Sequence, residues 1–358
     1  MTTATSPTTQ ITYLSGSPTG AILTKSSTRI LGNREVLVRV THSGLCGTDV
    51  HDRTAGCGLG HEGVGIVEKV GVDVGVTSVE VGDRVGLGWQ FSSCGHCREC
   101  IAGYRQYCPE SKGQKYGETE QGAFGDFVVK DQDFVYHVPV EIESRFAGPL
   151  MCAGITVFEA LDVAGAKPSD RVGVVGFGGL GHLAVLYARA MGCETVVFSR
   201  STGKRGDAMM CGATEFCVVP EAGGKLDVEV GVDILLLCGN GLPDFEQFMP
   251  VLARRATIVP LIIQGEPLVV PYMPFMLPGH RIILARFNYS ISASTEASRR
   301  NHIDALTFAA RHNIRPWIQE FPMTEAGLAK ALDLLEHGKI KYRAVLTVGL
   351  RDDVLKNS

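Results

Sequence analysis

The segment RVGVVGFGGLGHLAVLYARAMG, residues 171–192, is the strongest indication of fold class in this 358-residue chain. A short apolar strand pattern leads into glycines spaced G-x-G-x-x-G, and an amphipathic helix pattern follows. The first glycine permits a tight turn, the second lets the backbone approach a pyrophosphate, and the third lets the helix pack closely on the strand. The helix N-terminus then attracts phosphate. We therefore expect a dinucleotide site rather than a plain glycine-rich turn, formed by Gly176, Gly178, Gly179, Leu180 and Gly181.

Strand and helix patterns alternate on both sides of this stretch. Helix patterns cover residues 155–165, 179–192 and 204–213, and strand patterns cover 171–177, 195–199, 232–238 and 255–262. Such alternation is typical of a doubly wound parallel sheet in an α/β fold. This part of the chain is therefore predicted to be the dinucleotide-binding domain.

The chain on either side of this domain has a different sequence pattern. Short strand patterns rich in Val and Gly, such as residues 35–41 and 63–71, indicate an irregular, mostly β domain before it. After it come helix patterns at 297–313 and 324–339 and a strand pattern at 342–349. We expect this last strand to return to the first domain.

Charge and composition exclude several classes of function. The net charge is −4, with 34 basic and 38 acidic residues, so nothing favours nucleic acid or an anionic membrane as a partner. The polar start, MTTATSPTTQ, lacks the features of a signal or transit peptide, and no uncharged apolar run approaches about 18 residues. We expect a cytoplasmic protein, in which eleven cysteines indicate metal ligation or free thiols rather than disulfides.

The strand after the glycines bears on which dinucleotide binds. NAD sites usually place an acidic residue roughly 20 positions on, where it binds the ribose 2′-hydroxyl. Here Ser199 stands at that place, followed by Arg200, Ser201 and Lys204, and the segment 196–205 holds no acid. These donors and positive charges suit a 2′-phosphate, which favours NADP(H). The alternative is a solvated loop that happens to be basic.

Four cysteines lie close together in the segment CGHCRECIAGYRQYC. Cys94, Cys97, Cys100 and Cys108 have the spacing C-x2-C-x2-C-x7-C, and four thiolates can close a tetrahedral shell around zinc with no position left for chemistry. An iron–sulfur cluster is the alternative, but bacterial ferredoxins have three residues before their last cysteine rather than seven. We expect a structural zinc.

A second metal site is indicated by GLCGTDVHDRTAGCGLGHEG, residues 44–63. Cys46 and His61 supply one sulfur and one nitrogen, and a catalytic zinc of the Cys₂His type needs a second thiolate. Cys57 is one candidate, because it lies four residues before His61. Cys152, where the chain enters the second domain, is the other.

The motifs together resemble the zinc-dependent medium-chain alcohol dehydrogenases, in particular their cinnamyl-alcohol-dehydrogenase-like branch. The resemblance rests on GLCGTDVH, GHEGVG, the four-cysteine segment, PLMCAGIT, GFGGLG and GKIKYRAV, which follow one another in the family's order over nearly the whole chain. It implies a GroES-like catalytic domain of residues 1–152 and 290–358, with a zinc lobe around 90–112. A Rossmann domain of residues 153–289 is inserted between these two segments.

The resemblance also implies a role for each site residue. Cys46, His61 and Cys152 are expected to bind the catalytic zinc, with Glu62 as an exchangeable ligand. Asp49 is expected to orient a ligand histidine, and Thr48 and His51 to carry a proton between the reacting oxygen and solvent. Thr156 is expected beside the nicotinamide and Arg343 near the pyrophosphate.

The implied activity is hydride transfer between NADPH and the carbonyl of an aldehyde or ketone, with two zinc ions per chain and a homodimeric assembly. Reduction of a polarised C=C or iminium bond is an alternative on the same scaffold. A non-catalytic nucleotide- or zinc-binding protein is a further one. Because Thr48 and His51 are both present, carbonyl chemistry is favoured over both alternatives.

Overall fold

The computed structural model describes residues 8–75, 78–221, 224–226, 228–263, 265, 267–282 and 297–350. The chain forms two compact units, one of Met1–Cys152 with Ser298–Ser358 and the other of Ala153–Ala297. The predicted return to the first domain at residue 290 lies outside the described residues.

The first unit begins with a hairpin and continues into a mixed sheet. The strands of its first chain segment, which ends at Cys152, are β1 Thr8–Ser15, β2 Leu23–Ile30, β3 Glu35–Leu45, β4 Glu62–Val70, β5 Arg84–Leu87, β6 Gln90–Ser92, β7 Lys112–Gln114, β8 Gly117–Glu118, β9 Phe127–Asp131 and β10 Val135–His137. Its helices there are α1 Gly47–Asp52, α2 Arg98–Ile101 and α3 Ser144–Pro149. The hairpin β1–β2 was not predicted, because β2 is mostly polar and mostly exposed and lacks an apolar face.

The second unit is a parallel sheet with helices between its strands. The elements are α4 Ile155–Ala164, β11 Arg171–Val175, α5 Gly181–Ala190, β12 Glu194–Ser199, α6 Arg205–Cys211, β13 Glu215–Val218, β14 Val232–Leu237, α7 Phe245–Phe248, β15 Leu252–Pro260, α8 Tyr272–Met276 and β16 Arg281–Ile282. The strand order is β13-β12-β11-β14-β15-β16, and each neighbouring pair is parallel. This is the Rossmann order, so the prediction of an α/β fold with a doubly wound sheet is confirmed.

The first unit resumes with α9 Arg299–Arg311, β17 Ile318–Pro322, α10 Glu325–Glu336 and β18 Arg343–Thr347. Strand β18 pairs with β3 and β17, which completes a sheet of order β10-β5-β4-β3-β18-β17 with β9 also paired to β3. The predicted return of the last strand to the first sheet is thus what the structure shows. Helix α10 begins at its cap Thr324, whose side chain accepts a hydrogen bond from the backbone N–H of Gly327.

The core of the first unit positions the segment that carries the site. Leu328 and Leu332 of α10 pack with Phe321, Leu346 and Leu45 in one fully buried cluster. Leu45 is the last residue of β3, so the start of α1 directly beyond it is held against a rigid core. The helical stretch Ser144–Ala164 is long and apolar enough to cross a membrane by length and composition alone, but 72% of its apolar 18-residue window is buried inside the structure.

Candidate functional site

Four potential metal ligands from three separate parts of the first unit meet at the start of α1. Cys46 lies between β3 and α1 as the N-cap of the helix, His61 directly precedes β4 and Glu62 begins it, and Cys152 lies in the π-helical turn Leu150–Gly154 that follows α3. Their ligand atoms all lie within 4.8 Å of one another. The Sγ atoms of Cys46 and Cys152 are 3.9 Å apart.

The geometry of this group fits zinc. In a tetrahedral shell with Zn–S bonds of about 2.3 Å, two sulfur atoms lie about 3.8 Å apart, close to the separation seen here. The hydrogen bond with Cys152 lowers the pKa of the Cys46 thiol well below its usual value, which favours the thiolate that binds metal. Cys57, the other candidate, is buried and belongs to no such cluster in the described part of the chain.

Asp49 fixes two of the segments that carry these ligands, the one at Cys46 and the one just before His61. One carboxylate oxygen accepts the backbone N–H of Cys46 at 3.0 Å, and the other accepts that of Gly60 at 2.9 Å. The second oxygen also lies 3.5 Å from His61 Nδ1. Burial opposes the charged form of His61, but the Asp49 carboxylate and Cys46 together outweigh it and raise the pKa of the imidazole. With Nδ1 facing Asp49, the Nε2 atom is left for a metal.

Glu62 forms a buried ion pair with Arg343. The arginine donates from Nη2 to both carboxylate oxygens, at 2.5 Å to Oε2. Burial raises the pKa of Glu62 to about 7, and Arg343 opposes this rise. A side chain at position 44 would not fit, because a Cβ on Gly44 would lie 2.0 Å from Glu62 Oε2. Arg343 therefore contacts Glu62, a pairing that the sequence did not reveal, and its expected place near a pyrophosphate stays a prediction.

The residue before Arg343 has an unusual backbone. Tyr342 has a φ of 75°, in the left-handed region that bulky side chains rarely adopt. Its ring is 95% buried and packs edge-on against Trp317, with the ring centroids 5.2 Å apart. This packing stabilises the turn that leads into β18.

Helix α1 presents two different faces. Asp49 and Asp52 are buried, whereas Thr48 is half-buried and His51 is exposed. Thr48 Oγ1 lies 3.8 Å from Cys46 Sγ, and His51 follows one turn later on the same face. The helix thus places a hydroxyl beside the metal-ligand group and an imidazole in solvent.

The four cysteines predicted to bind structural zinc also come together. Cys94, Cys97, Cys100 and Cys108 have their sulfur atoms within 4.8 Å of one another. Their sulfurs accept backbone N–H groups, such as that of Cys97 onto Cys94 at 3.3 Å and that of Cys100 onto Cys97 at 3.4 Å. Such bonds stabilise thiolates, and they lower the pKa of Cys94 to about 6, with the N–H of His96 contributing most. The lobe therefore fits a closed zinc site.

The glycine-rich loop of the second unit has the geometry that the sequence predicted. Gly176 has a φ of 88°, and a Cβ on Gly181 would lie 2.0 Å from the Gly176 carbonyl, so helix α5 can approach only without side chains here. A Cβ on Gly178 would meet nothing within 4 Å, which leaves open space in front of the loop. Gly179 and Leu180 connect this turn to α5, with Leu180 as its cap.

The polar residues after β12 lie at the same end of the sheet. Ser199 ends β12, and Lys204 donates its Nζ to the carbonyl of Phe177 in the glycine-rich loop at 2.9 Å. Partial desolvation of its amine lowers the pKa of Lys204, although the residue as a whole is exposed. Arg200 and Ser201 are exposed, and Thr156 is buried in the first turn of α4.

Gln114, which was not predicted from the sequence, also belongs to the first site. It is buried, and its Nε2 donates to the Asp49 carboxylate at 3.2 Å. No motif marks this glutamine, because it lies in a short strand that reads as an ordinary loop.

Comparison with known proteins gives consistent results over almost the whole chain. Residues 32–140 match the alcohol dehydrogenase GroES-like domain. Aldehyde reductase AdhA of Synechocystis is 34% identical over 88% of this chain and 92% of its own. NADP-dependent alcohol dehydrogenase 6 of Saccharomyces cerevisiae is 31% identical over 90% and 91% of the two chains.

Solved structures agree with these relatives. A cinnamyl alcohol dehydrogenase from Sorghum bicolor superposes with a TM-score of 0.86 at 30% identity, covering 95% of this chain and 98% of that one. The cinnamyl alcohol dehydrogenase of Helicobacter pylori, solved with NADP(H), superposes with a TM-score of 0.78 at 25% identity, covering 95% and 99%.

Proposed function

The chain belongs to the zinc-type medium-chain alcohol dehydrogenase family, and we propose that it transfers hydride between NADPH and the carbonyl of an aldehyde or ketone. The observation that carries this proposal is the convergence of Cys46, His61 and Cys152, with two sulfurs 3.9 Å apart and a histidine oriented by Asp49. The sequence similarity to relatives named aldehyde reductase and NADP-dependent alcohol dehydrogenase supports this proposal.

Cys46, His61 and Cys152 are proposed to hold the catalytic zinc, and Glu62 to act as an exchangeable fourth ligand. When bound, zinc supplies the Lewis acidity that polarises a carbonyl or acidifies an alcohol. Glu62 can leave a ligand position without becoming an unpaired buried charge, because Arg343 already holds its carboxylate. The Glu62 carboxylate therefore has two stable positions close together, one on the metal and one in the ion pair with Arg343.

Thr48 and His51 are proposed to move the proton that accompanies hydride transfer. Thr48 Oγ1, 3.8 Å from Cys46 Sγ, can donate to or accept from a substrate oxygen near the ligand group. His51 is exposed and can exchange a proton with water at neutral pH. A cofactor hydroxyl is the expected link between the two side chains.

NADP(H) is proposed as the dinucleotide. The charge of Arg200 and Lys204 and the hydroxyls of Ser199 and Ser201 can bind a 2′-phosphate, and no acidic side chain at the end of β12 opposes it. Lys204 is already positioned by its bond to the glycine-rich loop. Thr156 is proposed to lie beside the nicotinamide and Arg343 near the pyrophosphate.

Cys94, Cys97, Cys100 and Cys108 are proposed to bind a second zinc that stabilises the lobe. Four thiolates leave no open position, so this ion would have no part in the reaction.

A homodimer is proposed from exposed apolar residues on the second unit. Val269, Tyr272, Met273 and Leu277 are each at least half exposed, and they lie in the chain segment just before β16, the last strand of the sheet as described. A surface of this kind is typical of a protein contact. Sedimentation of the wild type and of a Tyr272→Lys, Leu277→Lys variant would test it, and a wild-type monomer would contradict it. A cytoplasmic location stays part of the proposal.

The experiment that tests the function is a screen of aldehydes, ketones and enals with NADPH and with NADH. We expect carbonyl reduction that prefers NADPH, that stops when the zinc is chelated and that returns when zinc is added back. The His61→Ala variant serves as the control for activity that does not depend on this site. Turnover of enals only at the C=C bond, or no turnover with any carbonyl, would contradict the proposal.

A further inference from the structure

The buried face of helix α1 is held by the segment that follows the cysteine lobe. Gln114 donates to Asp49 at 3.2 Å, and the next residue, Lys115, donates its Nζ to Asp52 at 2.9 Å. Asp49 and Asp52 are three residues apart and lie on one face of the helix. Two consecutive residues therefore bind the two carboxylates that anchor α1.

This segment is itself fixed to the lobe. The backbone N–H of Ser111 donates to the carbonyl of Cys108, the last cysteine, at 3.0 Å. The side chain of Gln90 donates to Ser111 Oγ at 2.7 Å and to the carbonyl of Arg105 at 2.9 Å. Only five residues lie between Cys108 and Gln114, and the first three of them belong to this bonded turn.

Gln114 forms a hydrogen bond to Asp49 in an arrangement that leaves the rest of its buried amide poorly satisfied. The side chain is 1% exposed, and its Oε1 has no hydrogen-bond partner in the described part of the chain. Burying a carbonyl without a partner destabilises the fold. The amide is nevertheless held with Nε2 on Asp49, the carboxylate that contacts the backbone of Cys46 and faces His61.

We propose that Gln114 is a positioning residue that couples the cysteine lobe to the catalytic metal site through Asp49. By occupying one lone pair of the Asp49 carboxylate, it fixes the orientation in which that group meets His61 Nδ1 and Cys46. The proposal rests on the proposed function, because it requires a metal held by Cys46, His61 and Cys152.

The test measures the metal site directly in the full-length protein. Zinc loss to a colorimetric chelator is followed for the wild type, for Gln114→Met and for His61→Ala, whose missing phase identifies the catalytic ion. Loss of outer partners of metal ligands typically weakens metal binding 10–100-fold, and Gln114 lies one contact further out, so we expect the catalytic ion to leave about 10-fold faster. The absorption bands of Co²⁺ bound at the catalytic site should also shift.

Gln121→Met is the matched control. Gln121 is also buried in the first unit, and it makes two hydrogen bonds to the backbone of Val129, at 3.0 and 2.8 Å, but none to Asp49. Its substitution should destabilise the fold at least as much and leave the catalytic zinc-loss rate and the Co²⁺ bands unchanged. If Gln114→Met does not fold, Gln114→Asn, whose amide is too short to reach Asp49, takes its place.

The possible results separate the two proposals. A wild type that binds no metal through His61 would overturn the proposed function. Metal binding in the wild type with the same rate and bands in the Gln114 variant would overturn the role of Gln114 alone. Equal acceleration in the Gln114 and Gln121 variants would also overturn it, since general destabilisation would then explain the effect.

Discussion

The Sγ atoms of Cys46 and Cys152 lie 3.9 Å apart, although the two cysteines are 106 positions apart in the chain. A Cys152→Ser variant should therefore lose the catalytic zinc, so that the zinc content falls from two ions to one per chain. The carbonyl reductase activity should fall at least about 1000-fold, because Lewis acid stabilisation is worth several kcal/mol. Elemental analysis and steady-state rates check both expectations.

Cys57→Ser is the control for this substitution. Cys57 is 2% exposed and lies outside both cysteine clusters, so its variant should keep two zinc ions and most of its activity. Loss of one zinc from the Cys57 variant, with none from the Cys152 variant, would reverse the assignment.

The residues after β12 should determine cofactor preference. Combining Arg200→Ala with Lys204→Ala removes two charged donors worth about 1.5–3 kcal/mol each, so kcat/KM for NADPH should fall at least about 100-fold. The value for NADH should change little, because NADH has no 2′-phosphate. Lys167→Ala, which removes an exposed charge elsewhere in the second unit, is the control. A wild type that uses both cofactors equally would contradict this interpretation.

His51 should matter for proton transfer and not for metal binding. His51→Gln should lower kcat about 100-fold at neutral pH, in keeping with the usual contribution of a general acid–base, and added imidazole should restore part of it. The zinc content should stay at the wild-type value. His96→Gln, an exposed histidine in the lobe, is the matched control and should retain kcat. An unchanged kcat in His51→Gln would remove this histidine from the proton path.

The four-cysteine lobe should contribute to stability without taking part in the reaction. Cys100→Ser should release the lobe zinc and lower the melting temperature by several degrees, because a structural zinc site contributes folding energy. Any protein that remains folded should retain hydride transfer with the same cofactor preference. Calorimetry together with zinc analysis tests this, and a melting temperature equal to that of the wild type would contradict it.

Acid should destabilise the first unit in part through His42. Burial lowers the pKa of this histidine, although Glu320 opposes the effect. As the pH falls below about 6.5, the unfolded chain takes up this proton before the folded one does, so the free energy of unfolding decreases. His42→Gln should lose less stability than the wild type between pH 7.5 and 5.5 in denaturant titrations. The exposed His337→Gln variant should behave like the wild type, and equal losses in all three proteins would exclude His42 as the cause.

Local patterns and spacing account for most of what could be predicted. The glycine spacing at 176–181 and the alternation of strands and helices depend on short segments, so the Rossmann unit was predictable from them. Local spacing did not decide between Cys57 and Cys152, because that choice depends on where a distant turn folds back; only the family resemblance favoured Cys152. Gln114 escaped prediction for the same reason, since a glutamine in a loop has no local feature that shows which carboxylate it will meet.

The left-handed turn at Tyr342 bears on how the chain avoids misfolding. Strand β18 lies between β3 and β17, and sliding it by one residue would turn every side chain to the opposite face of the sheet. Arg343 would then leave Glu62 as a lone charge in the interior, a state that costs several kcal/mol. The contact of the Tyr342 ring with Trp317 and the Glu62–Arg343 ion pair therefore both favour the native register of the last strand. The arginine beside the proposed metal ligands thus also favours correct strand pairing in the sheet that contains it.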